Sequence, residues 1–367
     1  MCKITPLNKV RSPQTFKQLR PISLLFHLGK IAESVLSNLI KQEMPELKDQ
    51  FAYTKQRSTT NALVNLSTDI AYNLDEKDNI AVQALLPDFS KAFDRMLPDS
   101  AVRKLLHLGV TPALVQVVKS FFCERRQRVK YADTCSEYQS CKIGVPQGTI
   151  MGPLLWNVFV DDLKPDINCI KYADDTTVYN IIRKSDVTVT QSTSRSASIS
   201  FASNPLQTAA TYASTWCKDN SMLLNATKSQ TINFSLQKKI DCAPIRVNDT
   251  EIEDLSAVKL LGVKFDSHMK FTNHVESVID KAKPAVHAII QLKKIGVTSI
   301  SLCRFYQSRV LSILAYAAPS WFPYLSKNDK EKLERLQKLC LRVILPDIAN
   351  YGERLSSLNL ESLYSMF

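Results

Sequence analysis

Apolar residues recur at different spacings along the chain, which divide it into a mixed N-terminal part and a helical C-terminal part. Residues 19–43 open with an extended Arg-Pro pair and continue with apolar positions at helical spacing, so they predict one amphipathic helix. Residues 79–86 are short, mostly apolar and followed by Pro87, which favours a buried strand. From residue 271 onwards the spacing is helical again and predicts an all-helical module.

Helices and strands are mixed between these regions. Helices are predicted over 100–108 and 112–123, and a strand over 125–131. Residues 168–181 predict two strands, folded about a tip that carries two neighbouring aspartates. Residues 185–203 contain ten Ser or Thr among nineteen residues, which is the composition of a mobile surface insertion without an assigned function.

Composition and charge limit the possible classes of protein. The 367 residues are 45% hydrophobic and 22% charged, which excludes a disordered chain and predicts two or three subdomains. The N-terminal residues lack the apolar segment of a secretory signal, and the longest uncharged run, 143–160, contains two prolines and three glycines. We therefore expect an intracellular protein that is not secreted and does not span a membrane.

The charge balance suggests a class of partner. Lys and Arg number 47 and Asp and Glu number 35, so the net charge is 47 − 35 = +12. A polyanion such as nucleic acid is the first partner to test, although many basic proteins bind none. The nine cysteines are dispersed and form no CxxC pair, which argues against a disulfide framework or a zinc site.

Carboxylates are the remaining candidates for a metal site. Asp88 follows the predicted strand 79–86, and Asp174 and Asp175 occupy the predicted hairpin tip. Antiparallel pairing of these strands would bring the three together, and such oxygen ligands suit Mg²⁺ or Mn²⁺. Two ions about 4 Å apart can stabilise an in-line phosphoryl displacement. Neighbouring residues on an extended chain face opposite ways, so one of the Asp-Asp pair should be the principal ligand. The simpler alternative is that the pair only marks a hairpin turn.

Residues 144–153 hold three of the eight glycines of the chain. Glycine at this density indicates close backbone approach, which could lay peptide groups against a sugar or a base. Gln147 adds a neutral donor and acceptor. Glycine and proline are also common where a loop joins a helix, which explains the same pattern equally well.

Seven blocks of the chain, taken in order, resemble the reverse transcriptase domain of non-LTR (LINE-type) retrotransposons. They are ITPLNKV with RPISLLFHLGKIAE, QFAYTKQRSTTNAL, DFSKAFD, GVPQGTIMGPLLWNVFVDDL, YADD, WCKDNSMLLNATKSQ and LLGVKFD. The resemblance implies a right-hand polymerase of the α+β class, whose palm is an antiparallel sheet on helices. It implies fingers at 1–79, a palm at 80–270 with a fingers hairpin at about 125–143 and the insertion at 185–203, and a helical thumb at 271–367.

The resemblance also implies roles for the acidic residues and their neighbours. Asp88 and Asp174 would bind two magnesium or manganese ions, Asp175 would assist, and the main-chain carbonyl of Phe89 could be a further ligand. Lys228 resembles the lysine proposed to protonate the departing pyrophosphate.

Nucleotide contacts follow by the same resemblance. Phe93 would be a steric gate that favours deoxynucleotides, unless it is simply palm core. Gln147 and Gly148 would line the incoming nucleotide. Lys55 and Arg57 would suit its triphosphate, although a solvated surface role is as good an explanation for either.

Strand contacts are implied in two places. Leu261 and Gly262 resemble the primer grip. Arg126, Arg128 and Lys130 would share one face of a strand and could hold template phosphates, or form a plain solvated face.

Two departures from the family pattern bear on activity. Pro87 removes a ladder N–H immediately before Asp88, which an edge strand tolerates and a central strand does not. Ala52 stands where the family commonly has Gly, so a tight fingers turn could be altered. The chain begins at the first family motif, without an upstream endonuclease domain, and we expect a truncated element copy.

The leading functional hypothesis is an RNA-directed DNA polymerase. It would extend a DNA primer on an RNA template with deoxynucleoside triphosphates, and the family implies a nuclear site of action. One alternative is a catalytically decayed copy that only binds nucleic acid. Another is RNA-templated RNA synthesis, which would require a smaller gate than Phe93.

Overall fold

The computed structural model describes residues 2–193, 196–201, 203–236 and 239–367. The strands are β1 (Cys2–Asn8), β2 (Leu19–Leu24), β3 (Asn79–Leu86), β4 (Arg126–Tyr131), β5 (Thr134–Cys135), β6 (Gln139–Ser140), β7 (Asn168–Tyr172), β8 (Asp175–Arg183), β9 (Val187–Ser192), β10 (Ser196–Phe201), β11 (Gln230–Phe234), β12 (Lys239–Asp241), β13 (Arg246–Val247), β14 (Thr250–Glu251), β15 (Glu253–Asp254), β16 (Ala257–Leu260) and β17 (Val263–Asp266).

The α-helices are α1 (His27–Glu43), α2 (Thr59–Asp75), α3 (Ala92–Arg95), α4 (Pro98–His107), α5 (Pro112–Phe122), α6 (Met151–Val160), α7 (Pro205–Asp219), α8 (Thr272–Lys294), α9 (Ser299–Tyr306), α10 (Ser312–Leu314), α11 (Lys327–Ile344), α12 (Tyr351–Ser357) and α13 (Leu363–Met366). Short 3-10 or π turns lie at Phe16–Gln18, Lys184–Asp186, Gln307–Leu311, Ala318–Ser320 and Phe322–Tyr324. The mixture of sheets and helices confirms the predicted α+β class.

The central sheet has the strand order β15-β11-β3-β8-β7. Strand β3 is the predicted strand 79–86, and it pairs antiparallel with both β8 and β11. Its last ladder pair joins Leu86 to Gln230, so Pro87 lies beyond the ladder and removes no sheet hydrogen bond. The expected conflict between Pro87 and a central strand is therefore absent.

Two apolar cores cover the two faces of this sheet. Val82 and Ala84 of β3 belong to a core that also contains α2, the β16–β17 hairpin and the C-terminal helices. Leu85 points the other way, as alternation along a strand requires, into a core that contains α4, α5, α6 and α7. The sheet is therefore the middle layer between two sets of helices.

A second sheet forms the N-terminal side of the molecule. Its order is β2-β1-β4-β5, and β6 also pairs with β4. Strand β1 runs antiparallel to β2 and parallel to β4, with Ile4 opposite Val129. The segment 125–143 folds back on itself, because β4 pairs antiparallel with β5 and β6, and it joins the N-terminal strands through β1.

Helix α1 is the predicted amphipathic helix, but the side that faces the protein mixes the polar Glu33 and Ser37 with Ile40. Glu33 is buried, and its Oε2 accepts hydrogen bonds from the backbone N–H groups of Ile150 (2.7 Å) and Met151 (3.1 Å). This carboxylate satisfies two donors at the start of α6, which otherwise lack partners within the helix. The apolar side chains that lie on the exposed face are Leu28, Ile31, Val35 and Leu39.

Residues 185–203, whose composition predicts a mobile insertion, contain strands β9 and β10 over most of their described length. Residues 194, 195 and 202 of this segment lie outside the described residues. Strand β10 pairs with β9 and with β12, and Ala197 and Ile199 on its inner face are buried. Alternating small apolar residues among Ser and Thr suit a half-buried strand, and composition alone conceals that alternation.

Candidate active site

The predicted carboxylates lie around two adjoining cavities. The larger, of about 1060 Å³, is lined by Asp88, Asp174 and Lys228 among others. The smaller, of about 170 Å³, is lined by Asp88, Asp175 and Lys228. Asp88 and Lys228 thus contribute to both cavities, whereas the neighbouring Asp174 and Asp175 line different ones. The two residues of the Asp-Asp pair are inequivalent, as the alternation argument predicts.

Backbone contacts fix Asp88 beyond the end of β3. Its N–H donates to Ser229 Oγ (3.1 Å), and its carbonyl accepts from the Asn225 N–H (2.8 Å). The next residue, Phe89, forms an isolated antiparallel bridge with Leu224. The segment before β11 therefore holds Asp88 by hydrogen bonds on both sides of its peptide unit.

The turn that carries Asp174 is held in an uncommon backbone conformation. Tyr172 and Asp175 pair as the last rung of the β7–β8 hairpin, and Ala173 between them has φ +57°. Left-handed backbone costs an L-residue other than Gly about 1–2 kcal/mol. Other parts of the structure must therefore stabilise the turn.

Gln50 and Trp156 provide that stabilisation, although the sequence analysis did not single out either residue. Gln50 Oε1 accepts the N–H of Ala173 (3.0 Å) and also the N–H of Ala52 (3.0 Å). The carbonyl of Ala173 accepts from Trp156 Nε1 (2.8 Å) and more distantly from Gln50 Nε2 (3.4 Å). Both polar groups of the Ala173 backbone are thus bound by side chains from distant segments.

Lys171 is a second residue that the sequence analysis missed. Its side chain is 1% exposed, and its Nζ donates to the carbonyl of Val160 (3.0 Å) at the end of α6. Its backbone N–H and C=O bond to Asp49 and Phe51. Burial lowers the pKa of this ammonium. Lys171 therefore ties β7 to α6 and to the loop that bears Gln50.

The three carboxylates influence one another's ionisation. Burial raises the pKa of Asp88, Lys228 opposes that rise, and Asp174 adds to it. Burial, Asp174 and Asp88, in decreasing order, raise the pKa of Asp175 to about 6. No salt bridge to any of the three occurs within the described residues. This concentration of negative charge, which Lys228 opposes without an ion pair, is suited to a cation.

The oxygen ligands at this site fit a divalent ion whose coordination shell is completed by oxygens of the substrate. Among the residues that the structure describes, no three His, Cys, Asp or Glu side chains are placed to hold a metal by themselves. Magnesium in phosphate-transferring sites is usually bound by one or two carboxylates together with substrate phosphates. Asp88 and Asp174, which share the larger cavity, provide such a pair.

Phe93, Gln147 and Gly148 also line the larger cavity. The ring centroid of Phe93 lies 5.1 Å from that of Trp156, so Phe93 is half-buried against the core and also lines the cavity. Gln147 Nε2 donates to Asp94 Oδ1 (3.1 Å). The gate and core alternatives for Phe93 are therefore compatible.

The glycines of 144–153 allow close backbone contacts within the protein. A Cβ on Gly144, which has φ +72°, would lie 2.6 Å from the carbonyl oxygen of Asp94. A Cβ on Gly148 would lie 3.0 Å from the carbonyl oxygen of Ser23. The loop is therefore packed between β2 and the segment after Asp88, and this packing alone accounts for both glycines.

Lys55 and Arg57 line neither cavity. The guanidinium of Arg57 donates to the carbonyls of Leu47 (3.2 Å) and Gln50 (3.0 Å) and forms an ion pair with Glu46. A triphosphate contact through Arg57 would require these bonds to break. Ala52 is buried with an ordinary negative φ, so this turn does not need glycine at that position.

Tyr53 does line the larger cavity, although sequence reasoning did not select it. Burial first, and then the nearby Asp174, raises the pKa of its phenol. The one feature of the sequence that could have identified Tyr53 as a site residue is its position within the QFAYTKQRSTTNAL block. Tyr53 therefore presents an aromatic ring and a neutral hydroxyl beside Asp174.

The predicted strand-binding residues come from two hairpins, of which one borders the candidate site. Leu261 and Gly262 form the tip of the β16–β17 hairpin, where Leu261 lines the smaller cavity and its carbonyl accepts from Tyr316 Oη (2.7 Å). The basic residues of β4 are Arg126, Arg128 and Lys130, and none of them lines either cavity. Arg128 is half-buried over the ring of Tyr138 (4.8 Å).

Residues 9–265 match the family model described as reverse transcriptase (RNA-dependent DNA polymerase). The chain belongs to this family, and its fold is that of a right-hand polymerase. Its relatives include the probable RNA-directed DNA polymerase from transposon BS of Drosophila melanogaster, 27% identical over 91% of this chain and 36% of that protein. The RNA-directed DNA polymerase from mobile element jockey of the same species is 29% identical over 73% of this chain and 29% of that protein. The chain thus spans about a third of the length of these curated relatives.

Two solved structures align along nearly the whole chain. Telomerase from Candida albicans in complex with a fragment of telomeric RNA aligns with a TM-score of 0.48 and 9% identity, over 99% of this chain and 65% of that chain. An RNA-dependent RNA polymerase of a human picobirnavirus aligns with a TM-score of 0.49 and 10% identity, over 98% of this chain and 61% of that chain. In the described part of the chain, no helix is both long and apolar enough to cross a bilayer.

Proposed function

We propose that this chain is the RNA-directed DNA polymerase of a non-LTR retrotransposon, which extends a DNA primer on an RNA template with deoxynucleoside triphosphates. The observation that carries the proposal is the convergence of Asp88, Asp174 and Lys228, from three separate segments, on one cavity of about 1060 Å³. The names of the relatives, which are RNA-directed DNA polymerases of mobile elements, support the same reaction. We place its action in the nucleus by family resemblance.

The acidic residues would hold two Mg²⁺ or Mn²⁺ ions, with Asp88 and Asp174 as shared ligands, Asp175 assisting and the Phe89 carbonyl as a further oxygen. When bound, such ions stabilise the attacking and leaving oxygens of an in-line phosphoryl displacement. The protein contributes position, because the hydrogen bonds to the Asp88 and Ala173 peptide groups fix both carboxylates before substrate arrives. Such preorganisation lowers the cost of reaching the transition state.

Lys228 acts on the leaving group in this proposal. It lines both cavities, and its charge lowers the pKa of Asp88 against the effect of burial. An ammonium at this place can neutralise a departing pyrophosphate and donate a proton to it. Phe93 excludes the ribose 2′-OH, and Gln147 and Gly148 line the incoming nucleotide.

Strand contacts complete the proposal. Leu261 and Gly262 would meet the end of the primer at the edge of the smaller cavity. Arg126, Arg128 and Lys130 would contact template phosphates. For Lys55 and Arg57 the triphosphate role stays a prediction, and the bonds of Arg57 within its own loop argue against it.

Primer extension on an RNA template tests the proposal directly. We expect the unaltered chain to add deoxynucleotides with Mg²⁺, to stop when the ion is chelated, and to resume when Mg²⁺ or Mn²⁺ is restored. Asp174→Asn should abolish extension, whereas the exposed Asp347→Asn, which removes the same charge elsewhere, should not. An unaltered chain that binds primer–template but extends no better than Asp174→Asn would identify a binding protein instead. Preferential use of ribonucleotides would identify an RNA polymerase.

A further inference from the structure

Arg125 lies between α5 and β4, at the start of the hairpin 125–143, and its guanidinium binds the segment that returns from this hairpin. It donates to the carbonyls of Gly144 (2.5 Å) and Ile143 (3.2 Å) and to the thiol sulfur of Cys141 (2.9 Å). The backbone carbonyl of Arg125 accepts from the Cys141 N–H (2.8 Å). Side chain and backbone of Arg125 thus both bind the chain where the hairpin ends.

The N–H groups of the same segment are bound by α3 and the residue after it. The N–H of Gly144 donates to the Met96 carbonyl (2.8 Å), and the N–H of Val145 donates to the Phe93 carbonyl (2.9 Å). Both polar groups of the Gly144 backbone therefore have partners, and Arg125 supplies the one on the carbonyl side. The segment 143–145 is held between the hairpin and the helix that carries Phe93.

This segment leads directly into residues that line the larger cavity. Pro146, Gln147 and Gly148 line it, whereas Arg125 lines neither that cavity nor the smaller one. Val145 precedes a proline, so its backbone is confined to extended conformations, and the φ of Pro146 is fixed by its ring. A displacement of the segment is therefore passed on to Gln147 instead of being absorbed between them.

An arginine suits this position better than other donors. The fork of a guanidinium can bind two neighbouring carbonyls at once, which a single ammonium does not reproduce. Hydrogen bonds from a charged donor are also roughly twice as strong as those between neutral groups. Arg125 forms no salt bridge with any residue that the structure describes. Its described side-chain hydrogen bonds all go to the returning segment.

We propose that Arg125 is a positioning residue for the incoming nucleotide, because its hold on the Ile143 and Gly144 carbonyls keeps Gln147 and Gly148 in place against that nucleotide. The inference rests on the proposed function for the identity of the ligand. Arg125 acts through the backbone and touches neither the nucleotide nor the reacting atoms.

The effect should fall on nucleotide affinity more than on the chemical step. The peptide unit of Asp88 is bound by the segment before β11, and the turn before Asp174 is bound by Gln50 and Trp156. None of these contacts includes Arg125. Loss of its guanidinium should therefore leave the carboxylates in place and raise the KM for deoxynucleotides, with kcat nearly unchanged.

Nucleotide binding without catalysis tests the inference. The full chain is bound to an RNA template whose DNA primer ends in a dideoxynucleotide, so that the next deoxynucleotide can bind but cannot be joined. The dissociation constant of that nucleotide is measured with Mg²⁺ present. We expect Arg125→Gln to raise it roughly tenfold, which corresponds to about 1.4 kcal/mol. Arg125→Lys, which keeps the charge but not the fork, should raise it roughly threefold.

Arg354→Gln is the matched control. Arg354 is buried, and its Nε donates to the Leu345 carbonyl (3.2 Å) within the C-terminal helices. Both glutamine variants should lower the thermal unfolding midpoint, but only Arg125→Gln should weaken nucleotide binding. Extension of an ordinary primer, normalised to competent complexes, then separates KM from kcat for each variant.

Several results would overturn the inference. They are an unchanged dissociation constant in Arg125→Gln, an equal rise in the Arg354 control, and a fall in kcat with KM unaltered. Should Arg125→Gln fail to fold, an unchanged constant in Arg125→Lys would overturn it equally. If the unaltered chain extends no primer but binds the nucleotide, and Arg125→Gln weakens that binding, the proposed enzyme is refuted and the role of Arg125 stands. An unaltered chain that binds no nucleotide refutes both.

Discussion

Gln50 connects the N-terminal part of the chain to the turn that bears Asp174, and its removal should damage catalysis more than stability explains. Gln50→Met keeps a long side chain of similar volume but removes every hydrogen bond of the amide. The backbone N–H groups of Ala173 and Ala52, each 3.0 Å from Gln50 Oε1, would lose their acceptor. The carbonyl of Ala173 would keep its bond from Trp156.

Two energies decide what the turn does in this variant. If Ala173 stays in place, its buried N–H remains without a partner at a cost of about 1–3 kcal/mol. If Ala173 leaves the left-handed region, the chain recovers about 1–2 kcal/mol of backbone strain. Both energies favour movement of the turn, and Asp174 is the next residue. Since misplacement of a reacting group by 1 Å can cost about a hundredfold in rate, we expect kcat to fall roughly ten- to a hundredfold.

Single-turnover extension, normalised to the concentration of competent complexes, measures this effect. Gln337→Met is the matched control, because Gln337 is 1% exposed and its amide bonds Tyr306, Tyr351 and the Glu361 carbonyl within the C-terminal helices. Both variants should lower the free energy of unfolding, but only Gln50→Met should slow the chemical step of folded molecules. Equal single-turnover rates in the two variants would refute the reasoning.

Three further predictions address stability, nucleotide choice and backbone geometry. Burial lowers the pKa of His274 from 6.5 to about 4, so the unfolded chain binds a proton that the folded chain excludes between these values. Stability should therefore be full above about pH 6.5 and fall by up to ~3 kcal/mol towards pH 4. Denaturation of His274→Gln at several pH values should show a weaker pH dependence. Phe93→Val should raise the kcat/KM for ribonucleotides relative to deoxynucleotides by roughly tenfold or more, and an unchanged ratio would assign Phe93 to the core alone. Gly144→Ala should lower the free energy of unfolding by about 2 kcal/mol or more, because its Cβ would collide with Asp94. Gly109→Ala, at φ +87° with nothing within 4 Å of its Cβ, should cost only about 1 kcal/mol. Equal losses in these two glycine variants would show that φ, not the collision, sets the cost.

The spacing of apolar residues was sufficient to predict those strands and helices whose structure depends on neighbouring residues in the chain. The strand predicted over 79–86 is β3 residue for residue, and the hairpin predicted over 168–181 continues two residues further, to Arg183. Helix α1 was predicted as a helix, but its buried side was not. Its orientation depends on Glu33 bonding to residues 150 and 151, a contact over more than a hundred positions that no local periodicity contains.

The candidate site was predictable to a different extent. Periodicity placed Asp88 at a strand end and Asp174 at a hairpin tip, and family resemblance added Lys228, Phe93 and Gln147, all of which line the larger cavity. Gln50 could not be recognised, because a glutamine that binds a distant backbone has no spacing signature. Ligand-binding roles that were assigned because of a residue's charge were the weakest predictions. A guanidinium such as that of Arg57 can donate its hydrogen bonds to nearby carbonyls instead of to a ligand.

The position of β3 between two cores has a consequence for how the molecule comes apart. Val82 and Ala84 are buried in one core and Leu85 in the other, and the strand is hydrogen-bonded on both edges. Local opening of either half leaves half of these contacts intact, so the amide protons of this strand should be among the slowest to exchange with deuterium. Global unfolding exposes the segment that carries Asp88, whereas fraying at the periphery does not.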